Sequence, residues 1–339
     1  MALEAPAQKP DAGTARAAFG ATPNSVANRP KTTRVVSADV TVLDRLREIW
    51  RSRELLIYLV RTEIKVKYKN SFLGLVWSMV SPAMTLAVYT VVFGTFLKNG
   101  IPNFVIFLFS GLLLWNFFQT GVLTATGVIV NNAGLVKKVS FPREILALAA
   151  IGSAAVFLFF QAIVMVLFML VLQSPPAWAL LWLVLVALVP TFVFACGLGI
   201  LLASVNVYMR DTQHLVTVLV GAAWFWACPI VYSYQQDVSP RLADHHSTLH
   251  TLFAVIYFAN PMTPLVMTFQ RVLYARMGQV PLTVPVPPGT PPVRAQLLPS
   301  WPVTTYVWAD AAVFVGSVIL FYVAMIVFGR LAGNFAEEL

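Results

Sequence analysis

Long apolar runs almost empty of charge constrain this chain more than any other feature. Six of them, near residues 73–97, 104–130, 145–173, 177–207, 214–234 and 304–329, are long enough to cross about 30 Å of hydrocarbon as helices. Asp310 is the only charged residue inside them, and it lies close to an end. A charged side chain at a helix centre costs about 2.5–3.5 kcal/mol on an insertion scale, so water-facing groups are confined to the connections. The ionisable relay expected of an ion-coupled carrier is missing from the same runs. The expected fold class is therefore an all-α integral membrane protein with six transmembrane helices.

Composition agrees. Hydrophobic residues make up 58% of the 339 residues and charged ones 11%, where a soluble domain would carry about a quarter. The net charge of +9 would suit nucleic acid, but its lysines and arginines flank the apolar runs, as membrane topology demands. Residues 42–70, the connections at 131–145 and 208–214 and the tail after 329 hold thirteen of them; the opposite connections hold five. Positive-inside bias then places both termini in the cytoplasm of a multi-pass plasma (inner) membrane protein, with membrane lipid as a partner and no nucleic acid. Cys196 and Cys228 both sit inside apolar segments, as packed core residues rather than a disulfide or thiolate site.

Three segments stand apart from the spans. Residues 1–41 are Ala-, Pro- and Thr-rich without period, and read as a disordered cytoplasmic tail. Residues 42–70 are amphipathic: Leu46, Ile49, Trp50, Ile57, Val60, Ile64 and Tyr68 recur at helical spacing, against Arg45, Arg47, Arg51, Arg61, Lys65, Lys67 and Lys69. That pattern predicts an N-terminal helix in the headgroup layer, Trp50 and the apolar side inward and the cations towards anionic lipid; a flank that merely stops transfer is the plainer alternative. Residues 249–277 tempt a seventh span, but Asn260, Pro261 and Pro264 break them into halves too short to cross alone. They read as a re-entrant outer helical hairpin before the last span, followed by a Pro-rich outer loop at 281–302 of extended, polyproline-like structure.

Motifs of catalysis are absent. There is no G-x-x-x-x-G-K-[ST] phosphate loop, so the chain is not itself the usual nucleotide hydrolase, and no H-E-x-x-H, G-x-S-x-G or C-x-x-C occurs. His245, His246 and His250 cluster in the outer segment without an acidic or cysteine partner, which favours a solvated loop over a metal site. Asp237, Asp244 and Asp310 are the acids that a glycosyltransferase acting on polyprenyl-linked sugars would need, and they show no paired spacing.

Polar residues form stripes within the spans. Ser78, Ser81, Thr85 and Tyr89 share one face of the first; Asn116, Thr120, Thr124, Gly127 and Asn131 share one face of the second. Helix packing and a hydrated path for a polar cargo both explain such stripes. Trp115, Phe117 and Phe118 suit an interfacial belt or a platform for sugar rings. Between the second and third spans, Lys137, Lys138 and Arg143 keep the connection in water, while Val136, Val139 and Phe141 supply apolar contact. Pro142 ends a short helix or opens the next, with Glu144 in its first turn at the positive end of the dipole.

Six strings then carry a resemblance covering roughly residues 42–335: "RTEIKVKYKNSFLGLVWSMVSP" at 61–82, "GLLLWNFF" at 111–118, "NNAGLVKKVSFPREIL" at 131–146, "NVYMRDTQH" at 206–214, "CPIVYS" at 228–233 and "NPMTPLV" at 260–266. In this order they resemble landmarks of permeases in type-2 ABC exporters, specifically the polysaccharide and O-antigen export branch. The resemblance implies a homodimer of six-span subunits with a transmembrane domain at 71–335, docked on two copies of a separate ABC ATPase. It implies that ATP and Mg are bound by that partner and no cofactor by this chain. Its cargo would be a lipid-linked polysaccharide of O-antigen or galactan type, moved from cytoplasm to periplasm, with 131–146 as the coupling region in a cleft of the ATPase. An exporter of a small lipid or drug is the nearer alternative.

Overall fold

A computed structural model describes residues 41–67, 69, 76–96, 101, 103–239, 255, 257–274, 279–281 and 294–339. The N-terminal tail, Tyr68, Asp244, the three outer histidines, most of the first hairpin half and most of the Pro-rich loop lie outside them. Twelve helices are named in chain order. They are α1 (Val42–Arg51), α2 (Arg53–Lys67), α3 (Trp77–Tyr89), α4 (Phe104–Asn131), α5 (Ala133–Lys138) and α6 (Glu144–Val171), then α7 (Trp182–Tyr208), α8 (Thr212–Val218), α9 (Trp224–Trp226), α10 (Met262–Leu273), α11 (Val303–Leu331) and α12 (Phe335–Glu338). A short antiparallel ribbon, Gln279–Pro281 with Arg294–Gln296, is the one strand pairing among the described residues, and its second strand falls within the expected Pro-rich loop.

Among the described residues, five helical stretches are long and apolar enough to span: Met79–Phe96, Phe104–Asn131, Glu144–Val171, Trp178–Tyr208 and Val303–Asn334. The run expected at 214–234 behaves differently. It is helical from Thr212 through a π-helical segment, Leu219–Ala223, to Trp226, about 22 Å at 1.5 Å per residue. Pro229, which has no N–H and whose ring clashes with the carbonyl four residues back, cuts it short. The chain then turns, and Gln270 of α10 fills the space beyond, its Nε2 donating to Pro229 O at 2.7 Å.

α4 is the axis of the fold. It packs between α6 and α7, is covered by α10, and is buried on nearly every face, whereas the other spans leave broad apolar surfaces open. A helix apolar all round fits only such a position. The broadest contact joins α7 to α11. Glycine makes it possible: a Cβ at Gly197 would lie 2.9 Å from the Phe321 backbone N. On another face of α7, Gly199 admits Ala125 and Ile151 equally closely.

The amphipathic segment is two helices. Thr41 caps α1, accepting from Asp44 N–H, and the chain breaks at Ser52, whose N–H closes on Glu48 O at 3.0 Å and Ile49 O at 3.1 Å. Ile49 is the residue that α1 buries, and Trp50 is 72% exposed, free to meet lipid. α2 runs along α6, with Val60 against Gly152.

Candidate functional site

Two places gather the polar chemistry. The first is a cavity of ≈350 Å³ between α2, α3, α4 and α6, lined by Lys67, Trp77, Ser81, Pro82, Thr85, Asn116, Thr120, Phe157 and Gln161. The i, i+4 spacing of Ser81 with Thr85, and of Asn116 with Thr120, aims each pair at the same space. Asn116 donates to Gln161 Oε1 at 3.4 Å, and Thr85 returns its hydroxyl to Ser81 O at 3.2 Å. Each amide keeps further donors and acceptors for a guest. Lys67 closes one side, its Nζ 4.4 Å from the centroid of the Phe157 ring. Burial of the ammonium lowers its pKa from the usual lysine value, and Glu63 pulls the other way.

The cavity divides the expected substrate path. Ser81, Thr85, Asn116 and Thr120 meet there, joined by Lys67, which was expected only at the lipid interface. Trp115, Phe117 and Phe118 do not. They are 1%, 2% and 0% exposed, and their rings pack on Phe225, Phe192, and Phe194 with Trp224, respectively. Neighbours on a helix point about 100° apart, so Asn116 faces the cavity while the aromatics around it fill the core. Tyr89 stacks on Phe225 at 6.3 Å, and Thr124 lies beyond the cavity lining. The side chain of Ser78 is outside the described residues. Gln161 and Phe157 escaped the sequence reading; the only signal was a lone amide in the apolar string "FFQAIV".

The second place is the elbow between α4 and α6. Asn132 caps the end of α4, its Nδ2 donating to Val128 O at 2.8 Å, and α5 follows. Lys137, Lys138, Val139 and Ser140 form its exposed rim, with Val139 51% exposed. The other expected contact residues turn inward. Val136 is buried, Phe141 packs partly against the core, and α6 starts at Glu144 just after Pro142. Glu144 is buried and paired with Arg45 of α1 at 2.8 Å. Arg143 donates to Ala332 O and lies over the Phe335 ring, 5.7 Å away. Phe335, fully buried between Phe328 and Tyr208, fastens the C-terminal turn to the same corner. α1, the elbow, α7 and the end of α11 thus form one knot that spacing alone does not predict.

Among the described residues no group of three or more His, Cys, Asp or Glu could hold a metal. Two acids of the glycosyltransferase alternative are described: Asp237 Oδ2 accepts from Ser233 N–H at 2.9 Å, and Asp310 is wholly buried elsewhere, so these two form no paired carboxylate site.

Comparison with known proteins is consistent with this architecture. The profile of the ABC-2 type transporter family matches residues 54–244. The chain is 34% identical to the O-antigen export system permease protein RfbA of Myxococcus xanthus over 232 residues, 68% of this chain and 84% of that protein. It is 25% identical over 217 residues to the protein of the same name from Klebsiella pneumoniae, covering 64% and 79%. It is 23% identical over 182 residues to the polysialic acid transport protein KpsM of Escherichia coli, covering 49% and 65%.

Proposed function

This chain belongs to the ABC-2 type transporter family, and from that premise we propose that it is the permease subunit of an ATP-driven exporter of lipid-linked polysaccharide, of O-antigen or galactan type. It is a transport subunit rather than an enzyme. The observation that carries the cargo class is the polar cavity at Asn116, Gln161, Thr120 and Ser81, which offers neutral amides and hydroxyls to a hydroxyl-rich polymer instead of acids to an ion.

The rest of the reading follows from it. Five long helices and the short Thr212–Trp226 helix, completed by its following turn, make six crossings, with both termini in the cytoplasm of the inner membrane. Trp224 Nε1 donates to Asn260 Oδ1 at 2.8 Å, and Ala177 N–H donates to Val272 O at 2.9 Å at the connection beyond α6. These anchors support a re-entrant hairpin whose returning limb is α10. α1 and α2 sit at the cytoplasmic interface. Two copies of the chain, each docked on one ATPase subunit that binds ATP and Mg, make the working unit. The rim Lys137, Lys138, Val139 and Ser140 enters the ATPase cleft, and the knot of Arg45–Glu144 and Arg143–Ala332 conveys its motion to α6 and α11.

Export by cells carrying the chain with its ATPase tests this. Asn116→Leu combined with Gln161→Leu should cut delivery of polymer to the far side by about tenfold or more, as expected when buried polar partners are left unpaired, with the ATPase complex still assembled. Undiminished export would refute the cavity as the path. Loss of a small amphiphile but not of polymer would assign the chain to small-lipid export instead.

A further inference from the structure

Asp310 plays no part in the cavity or the elbow, yet it is the most anomalous group in the membrane-spanning helices. Its side chain is 0% exposed, and neither carboxylate oxygen has a hydrogen-bond partner among the described residues. Thr268 of α10 faces it without forming such a bond, and its own hydroxyl is likewise unpartnered. A carboxyl group placed so in an apolar interior must either find a partner or hold a proton. α7, packed along α11, has no acidic or basic side chain; among the described residues Tyr306, on the same helix, is in electrostatic range of Asp310, and Arg271 of α10 lies beyond it, in range of Tyr306. Tyr306, one turn away, lies within electrostatic range of both Asp310 and Arg271, and its hydroxyl is engaged with Pro299 O at 3.1 Å. The Nε of Arg271 is also buried without a partner.

The two helices run antiparallel: Thr268 stands level with Asp310, Arg271 with Tyr306, and Pro264 with the following turns of α11. Arg271 is therefore held about one turn too far along to meet Asp310. Beyond the hairpin tip, in the direction that would correct this, lies an apolar cavity of ≈510 Å³ lined by Pro261, Pro264, Phe194, Ala312, Gly316 and Ser317. An orphaned carboxyl, a guanidinium one turn away and free space in the matching direction occur at the same interface.

We propose that the α10 limb has a second register on α11, deeper by up to one helical turn (about 5.4 Å), in which Arg271 pairs with Asp310 and the hairpin tip enters the cavity. The observed register is tethered by Trp224 to Asn260, Gln270 to Pro229 O and Ala177 to Val272 O. The pairing gives Asp310 the partner that it lacks in the observed register, which offsets part of the loss of those bonds. Within the export reading, the pair is a latch that sets the hairpin in its inward position while the subunit is driven by ATP.

The test uses the chain assembled with its ATPase, in a background with Cys196 and Cys228 replaced. Pro264→Cys with Val313→Cys reports the observed register, and Pro264→Cys with Ser317→Cys reports the second, Asp310 and Arg271 being left in place. The first pair should crosslink without nucleotide, and the second should crosslink severalfold more during ATP turnover. This readout involves no cargo, so its failure is distinguishable from failure of the export reading. In the otherwise unaltered chain, Asp310→Asn and Arg271→Gln should each lower export by roughly fivefold or more. Exchanging the two charges, Asp310→Arg with Arg271→Asp, should recover part of that loss in complexes that remain assembled. Failure of the 264–317 pair to crosslink in any nucleotide state, where 264–313 does, would overturn the second register. Normal export by both single variants would overturn the latch.

Discussion

Glu144 and Arg45 offer a stringent test of how the elbow is held. Their side chains are 5% and 16% exposed, with Arg45 Nη1 2.8 Å from Glu144 Oε1. At an effective dielectric of about 20, that distance gives a gross attraction of about 6 kcal/mol, much of it offset by desolvation. Removing one member of a buried pair costs about 3–5 kcal/mol, because the other is left uncompensated. Arg45 retains a route to water, so the lower end, about 3 kcal/mol, is expected for Glu144→Ala. Gly329 supplies an independent lever. A Cβ there would lie 2.6 Å from the guanidinium carbon of Arg45. The guanidinium is pinned by Glu144, so Gly329→Ala must push it off its partner, at about 1–3 kcal/mol of overpacking. Equilibrium unfolding of detergent-solubilised protein should then show coupling of about 1–3 kcal/mol between Arg45→Ala and Glu144→Ala. It should also show Gly329→Ala to be nearly neutral once Arg45 is alanine. Additivity of the first two within about 0.5 kcal/mol, or an equal effect of Gly329→Ala with and without Arg45, would refute the pinned pair.

Two further expectations follow from close contacts and from burial. Gly197→Ala should destabilise by about 1–3 kcal/mol, because the new methyl meets the Phe321 backbone rather than a movable side chain. Gly134→Ala, with nothing within 4 Å of its Cβ, should be neutral or stabilising, and thermal unfolding of the two variants decides. Burial lowers the Lys67 pKa in the folded state from 10.5, so the unfolded chain holds that proton more tightly. The resulting penalty is present at neutral pH and lifts as pH rises from the lowered folded value towards 10.5. Lys67→Met should therefore flatten the rise of thermal stability with pH across that window, and an unchanged slope would reject the assignment.

Hydropathy and charge were enough to establish that the chain is helical and spans a membrane, because apolar length and the exclusion of charge are properties of a segment by itself. They also isolated the elbow at 131–146 and the break at Asn260 and Pro261, since Pro and clustered lysines act locally. Which side of each helix meets protein and which meets lipid was not legible, because both environments select the same apolar side chains. α4 and α6 look alike as strings, yet α4 is enclosed and α6 is largely open. In the string "WNFF", only packing separates Asn116, at the cavity, from the three aromatics in the core. The pairing of Arg45 with Glu144, 99 residues away, and the docking of Phe335 beside Arg143 arise only where the ends of four helices converge. Contacts between residues so far apart in sequence depend on the angles at which helices cross. Those angles are set by small residues such as Gly197, Gly199 and Gly329 acting together, and no single window of the sequence contains them.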